Sequence, residues 1–191
     1  MSRIGVLALQ GAFAAHAKVL QELGHQVVEL RSASQLNGLQ GLVLPGGEST
    51  AQWKLLEGAA LEKPLDGWVR KGTAPVLATC AGLILAAMKV TSPEQKSFGW
   101  LEVTVARNGW GRQVNSFETD IRIAFQNEEH PMQAVFIRAP RITHISPGLS
   151  VIAQHDREAI AVQQRNVTGV TFHPELSGDA SLHRSIFGAE T

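Results

Sequence analysis

Pro75-Val76-Leu77-Ala78-Thr79-Cys80-Ala81-Gly82-Leu83-Ile84 is the stretch on which the reading of the fold turns. Residues 75–78 form a short apolar run of strand length, and residues 82–88 have helical character. The chain's one cysteine lies at their junction. A side chain on so tight a strand-to-helix turn projects from the end of the strand, and the crowded backbone demands small neighbours. Ala78, Ala81 and Gly82 meet that demand. A helix beginning just after Cys80 would favour a thiolate, because its first N–H groups are unpaired and carry partial positive charge. Two readings of Cys80 stand at this point: an activated nucleophile, or a small buried structural thiol.

The same alternation runs outward in both directions. Towards the N-terminus, residues 4–9, 26–30 and 41–44 read as short buried strands. Residues 12–23 carry Val19, Leu20 and Leu23 at helical spacing, with Gly24 placed to end that helix. Ser49 or Thr50 is expected to cap the helix after the third strand, and a further helix is expected near residues 65–71. Strands alternating with helices imply a parallel sheet covered on both faces, with its site at the carboxyl ends of the strands. The second half is richer in strand signals, at residues 101–106, 114–124, 134–137, 151–153, 159–163 and 168–172. Residues 91–97 read as a polar loop, and residues 180–187 as a final helix. The expected class is α/β: three layers, a mostly parallel central sheet flanked by helices, and an added antiparallel portion. No repeat or linker divides the 191 residues, so one domain, 1–191, is expected.

Composition narrows the functional classes. Apolar residues make up 44% of the chain, sufficient for a core, and 17 Lys plus Arg balance 17 Asp plus Glu. A neutral chain without a basic run gives no reason to expect nucleic-acid binding. The apolar N-terminal run is too short for a signal segment or a membrane span, and a single cysteine makes no internal disulfide; the expectation is a cytoplasmic protein. The seven histidines show no metal-ligand spacing, and no lysine sits in a cofactor motif, so neither metal nor cofactor is expected.

Two further segments fall at expected strand ends. His173-Pro174-Glu175 follows the last apolar strand. Pro174 keeps His173 extended, and residues two apart in an extended chain face the same side, so imidazole and carboxylate are placed to bond. Such a carboxylate fixes the tautomer of the histidine and stabilises its imidazolium. The plain alternative is a turn with a surface glutamate. Pro45-Gly46-Gly47-Glu48-Ser49 brings paired glycines that let a backbone approach a ligand and aim N–H groups at an oxyanion. The plain alternative is a tight turn before a helix; no Gly-Lys-Ser/Thr follows to make a phosphate loop.

The order and placement of these segments resemble the class I glutamine amidotransferases, or triad glutaminases. Within them the chain is most similar to the branch that serves the two-protein pyridoxal phosphate synthase. The resemblance covers nearly the whole chain. Thr79-Cys80-Ala81-Gly82 and Phe172-His173-Pro174-Glu175 carry the superfamily likeness. Leu9-Gln10-Gly11, Gly111-Arg112-Gln113 and Ile137-Arg138-Ala139-Pro140 carry the likeness to the vitamin B6 branch. The resemblance implies a catalytic triad of Cys80, His173 and Glu175, an oxyanion hole from the N–H groups of Gly47 and Ala81, and a glutamine pocket of Gly47, Glu48, Ser49, Arg107, Ile137 and Arg138. An arginine suits the substrate carboxylate because paired N–H donors match it.

The resemblance also implies a partner. Ammonia would pass, shielded from water, to a synthase subunit that is a (β/α)8 barrel assembled into a large ring, with one glutaminase on each barrel. Docking would complete the oxyanion hole, and Gln10 is a candidate switch. Ala78 stands where relatives commonly have glycine, and Gly109 and Trp110 depart from the pattern of the Arg107-Asn108 segment. Thr191 follows soon after the last helix, which bears on partner contacts. Two other readings are carried forward: a triad glutaminase of a different synthase, which should lack Ile-Arg-Ala-Pro, and a non-catalytic thiol-sensing domain, which has no need of His-x-Glu. A cysteine protease fits less well, because the pocket residues imply a free amino acid.

Overall fold

The computed structural model describes residues 1–107, 116–125 and 128–188. The chain opens with β1 (Arg3–Leu7), α1 (Phe13–Glu22), β2 (Gln26–Leu30), β3 (Gly41–Leu44), α2 (Ser49–Gly58), α3 (Glu62–Lys71), β4 (Val76–Thr79) and α4 (Ala81–Ala86). There follow β5 (Ala87–Thr91), β6 (Leu101–Ala106), β7 (Ser116–Phe125), β8 (Glu128–Ile137), β9 (Arg141–Ile145), β10 (Ser150–His155), β11 (Glu158–Gln164), β12 (Val167–Val170) and α5 (Ser181–Phe187). Among the described residues no helix is long and apolar enough to cross a membrane.

The central sheet has the order β10-β11-β12-β4-β3-β1-β2. Its β12-β4-β3-β1-β2 portion is parallel, and β10 and β11 extend it antiparallel. A three-stranded sheet, β5-β6-β9, and the hairpin β7-β8 are added to it. The expected α/β class, with its antiparallel addition, is what forms. β3 and β4 are buried along their whole length, as a parallel sheet covered on both faces requires. Their side chains alternate between two apolar cores. Leu42, Leu44, Val76 and Ala78 enter one; Val43 and Leu77 enter the other with Phe136 and Phe172. The Ala78 methyl is thus absorbed into a packed core.

Several elements differ from the expectation. α4 stops at Ala86, and Ala87–Thr91 is strand rather than helix. The chain returns over that helix end: Phe98, Gly99 and Trp100 donate N–H bonds to the carbonyls of Leu85, Ala87 and Ala86 at 2.7, 3.1 and 2.8 Å. Those carbonyls are satisfied without another helical turn. The cap of α2 is Glu48, not Ser49 or Thr50; its carboxylate accepts the N–H groups of Thr50 at 3.1 Å and Ala51 at 2.7 Å. β8 begins at Glu128, well before the expected residue 134, because it pairs with β7 along its length. β9 was not expected and is held as the antiparallel edge partner of β6. The start of the expected strand at residues 114–124, and Asn108, Gly109, Trp110 and Gly111-Arg112-Gln113, lie outside the described residues.

The arrangement of β12, β4, β3 and β1 as neighbours, all pointing the same way, is what makes a site. Leu44 of β3 is level with Ala78 of β4, and Thr79 is level with Val170 of β12. The loops that leave these strands therefore emerge side by side: Pro45–Gly47, Cys80 and Thr171–His173. Gly82 holds two of them together. A Cβ on Gly82 would fall 2.1 Å from the backbone oxygen of Leu44. Gly82→Ala is therefore expected to lower unfolding stability by about 1–3 kcal/mol, the scale of core overpacking, in urea titrations with unchanged slope. An unchanged midpoint would contradict this close packing.

Candidate active site

Cys80 stands on the elbow between β4 and α4 with φ +48° and ψ −104°, a conformation that L residues seldom adopt. Its N–H bonds to the Val170 carbonyl at 2.9 Å, which ties the elbow to β12. The side chain opens on a cleft of about 330 Å³ and yet is only 7% exposed. A strained backbone that turns a buried thiol toward a cavity favours the nucleophile over the inert structural thiol.

His173 reaches the same cleft from the end of β12. Its N–H is fixed to the Val135 carbonyl of β8 at 2.8 Å. Its Nδ1 donates to Oε1 of Glu175 at 2.7 Å, both residues being buried. The pair forms for a reason other than the expected one. His173 is extended at φ −110° and ψ 85°, but Pro174–Leu176 makes a 3-10 turn that folds Glu175 back beneath the ring. Burial disfavours charge on His173; hydrogen bonds and charge from Cys80 and Glu175 outweigh it and push its pKa up to about 10. The imidazolium is thus held between thiol sulfur and carboxylate. Burial likewise opposes charge on Glu175, and the buried His16 and the His173 hydrogen bond outweigh it and hold the carboxyl below its ordinary range.

Gly46 is wedged against this couple. A Cβ there would lie 2.3 Å from Cε1 of His173 and 3.4 Å from Cβ of Cys80. Gly47 has φ +156°, and its neighbour Glu48 donates its N–H to Oε1 of Gln10 at 2.9 Å. Gln52 binds the carbonyls of Gln10 and Pro45 at 3.0 and 3.1 Å. The glycine loop and the Gln10-Gly11 loop are therefore stitched together over the cleft.

The remaining expected residues converge there too. Gly47, Glu48, Ser49, Arg107, Ile137 and Arg138 all line the cleft with Cys80 and His173. Arg107 pairs with Glu48 at 2.9 Å. Burial opposes charge on Glu48, but the N–H groups of Thr50 and Ala51 and the Arg107 guanidinium hold its carboxyl below the ordinary range. Ser49 Oγ donates to Gln95 Oε1 at 2.8 Å. Arg138 leaves β8 at φ +43°, which re-aims the chain at the cleft. Ala81 opens α4, where N–H groups lack an intrahelical acceptor. Ile84 also lines the cleft, one turn into α4, and was not singled out from the sequence. Nor were His16 and His183, which lie fully buried behind Glu175. The available signal was that His16 shares a helix face with Ala17 and Leu20, and so points at the sheet.

A cysteine elbow, a buried His–Glu pair and a mostly parallel sheet define the class: a triad-type glutamine amidotransferase fold. The chain belongs to the SNO glutamine amidotransferase family, whose model matches residues 6–188. It is 42% identical over 184 residues to a pyridoxal 5'-phosphate synthase subunit PdxT of Desulforudis audaxviator, covering 96% of each chain. It is 45% identical over 181 residues to the subunit of that name of Moorella thermoacetica, covering 95% of each. A crystal structure of a glutamine amidotransferase, 40% identical, superposes with a TM-score of 0.89 over 96% of both chains. PurLQS of Thermotoga maritima, 16% identical with a TM-score of 0.72, shares the fold.

The raised proton affinity of His173 belongs to the folded state. Its contribution to stability is therefore full below the ordinary value of 6.5 and fades as pH rises through about 10. In Cys80→Ala, which removes the partner on one side of the ring, the His173 pKa is expected to fall in an NMR titration. A value that stays near 10 would show that Cys80 and His173 are not paired.

Proposed function

We propose that the chain hydrolyses L-glutamine to glutamate and ammonia through a thioester on Cys80, and delivers the ammonia to a partner synthase that makes pyridoxal 5'-phosphate. The observation that carries this reading is the 2.7 Å contact of His173 with Glu175 at the wall of a cleft entered by the cysteine elbow. Family membership and the PdxT relatives support the substrate and the partner.

The geometry supports the following chemistry. Cys80 sulfur, as thiolate, attacks the side-chain carbonyl carbon of glutamine, and the carbonyl π pair moves onto oxygen. The N–H groups of Gly47 and Ala81 stabilise that oxyanion. Imidazolium His173 gives its Nε2 proton to the amide nitrogen, the C–N bond breaks, and ammonia leaves. Neutral His173 then takes a proton from water as the water oxygen attacks the thioester, and the collapse returns glutamate and the thiolate–imidazolium pair. Glu175 holds the imidazole through Nδ1 in both halves. Glu48, Ser49, Arg107, Ile137 and Arg138 bind the amino-acid end of the substrate, with Glu48 holding Arg107 in place and supplying the negative charge that an α-ammonium needs.

The 191 residues work as one glutaminase domain in the cytosol, where a lone thiol stays reduced. One such chain docks on each barrel of the ring-shaped synthase. Gln10 is the switch that responds to docking: its Oε1 holds the Glu48 N–H, one residue past the proposed oxyanion donor. Release of that bond frees Gly47 to turn.

Glutamate release from L-glutamine is expected to be slow for the chain alone, to rise on addition of an assembled pyridoxal 5'-phosphate synthase subunit, and to vanish in Cys80→Ala. No release by the unmodified chain with a matched synthase would overturn the glutaminase reading and move it to thiol sensing. Release that is stimulated only by some other synthase would overturn the assignment of partner.

A further inference from the structure

Glu175 has a neighbour that the triad chemistry does not use. His16, on α1, places Nε2 3.2 Å from Oε2 of Glu175 and 3.2 Å from Oγ1 of Thr79. Its Nδ1 lies 2.9 Å from Nε2 of His183, on α5. Both histidines are fully buried, with ring centroids 5.1 Å apart and planes tilted by 53°. The groups that face His16 are Glu175 and His173 from the turn after β12, Thr79 from β4, and His183 from α5.

The hydrogen count selects one tautomer for each ring. His183 Nδ1 is buried and has no hydrogen-bond partner among the described residues. A bare lone pair is tolerated there more cheaply than a bare N–H, so His183 carries its proton on Nε2 and donates to Nδ1 of His16. His16 Nδ1 is then the acceptor, and its own proton sits on Nε2, bonded to Thr79 Oγ1 and beside Glu175 Oε2, which lies off the N–H axis at 3.2 Å. The opposite choice would strand an N–H on His183 and set a nitrogen lone pair of His16 against a carboxylate. Burial keeps both rings neutral, with the His183 pKa pushed down to about 3. Glu175 Oε2 is buried and accepts no aligned hydrogen bond among the described residues; the His16 Nε2–H, 3.2 Å away and off axis, is the dipole that faces it.

We propose that His16, fixed as its neutral Nε2–H tautomer by His183, is a positioning residue that holds Oε2 of Glu175 so that Oε1 stays aimed at His173. This rests on the reading of Cys80, His173 and Glu175 as the glutaminase triad. It makes the apparatus a five-member chain, Cys80–His173–Glu175–His16–His183, which ties the chemistry to the first and last helices. A carboxylate held at one oxygen can rotate about its last torsion; a buried N–H dipole 3.2 Å from the other oxygen disfavours that rotation. Preorganisation of this kind acts on the chemical step and not on substrate binding.

Two measurements test it. NMR of histidine-labelled, unmodified chain should show His16 and His183 both neutral with the proton on Nε2. This readout is independent of any activity. In the assembled enzyme, His16→Phe, which keeps a ring but no N–H dipole, should lower kcat about threefold or more, within the net worth of one neutral hydrogen bond, with KM changed less than about twofold. His16→Gln, whose amide N–H reaches the Nε2 position, should recover most of the loss. A His16 proton on Nδ1, an imidazolium at His16, a folded His16→Phe with unchanged kcat, or a loss confined to KM would each overturn the proposal. Where His16→Phe does not fold, the tautomer alone decides. Failure of the glutaminase reading is distinguishable, because there the unmodified chain turns nothing over while the tautomers still stand or fall by NMR.

Discussion

The 2.7 Å hydrogen bond from His173 Nδ1 to Glu175 Oε1 is the contact on which the rest of the site depends. It is made in a place that is hostile to charge. Burial opposes ionisation of both residues; the pair persists as ions because each supports the other, His16 lies against the carboxylate, and Cys80 supports the imidazolium from the far side. In such low-dielectric surroundings a complete set of partners is worth far more than the same contacts in water, and an incomplete set costs correspondingly more. The fold can be read as the means of completing that set. β12, β4 and β3 lie side by side and end level. The Val170 carbonyl pins the Cys80 N–H, the Val135 carbonyl pins His173, and Gly46 fits against both side chains where no Cβ would pass.

Glycine and strain carry the geometry at two further points. Gly82 lets the elbow helix approach the Leu44 carbonyl, which brings the cysteine loop against the glycine loop. Cys80 and Arg138 occupy positive φ without being glycine, at +48° and +43°, and both face the cleft. Residues held in such conformations persist where their surroundings over-determine them, and they gather at functional sites. The end of the cleft lined by Glu48 and Arg107 is more polar and more exposed than the Cys80 end. There Glu48 and Arg107 pair at 2.9 Å.

Much of this was legible in the sequence because it is local. The elbow announced itself by small residues around a cysteine between strand and helix, the glycine loop by Pro45-Gly46-Gly47, and the parallel sheet by short apolar runs between helices. The pocket residues were reached only through family resemblance, since an arginine such as Arg107 or Arg138 carries no local mark of what it binds. What failed was what depends on distant partners. β5 follows α4 with no breaking residue between them, and its strand character is decided by pairing with β6 and by the return of residues 98–100. β9 exists because β6 needs an edge partner. Ser49 and Thr50 are good capping residues, yet Glu48 caps α2 because its carboxylate reaches two N–H groups at once. The His–Glu pair was foreseen, but through an extended backbone; a 3-10 turn after Pro174 makes it. His16 and His183 stand 167 positions apart and meet only in the folded chain.

The central claim is that Cys80 attacks glutamine and carries its acyl group. Acid quenching during turnover in the assembled enzyme, followed by mass spectrometry of the peptide that contains Cys80, tests it most directly. The account predicts one γ-glutamyl group on Cys80, present with L-glutamine, absent with glutamate, and accumulating when His173→Asn slows its hydrolysis more than its formation. Steady glutamate release with no adduct on Cys80 at any quench time, from a chain that still turns over as Cys80→Ala, would contradict it.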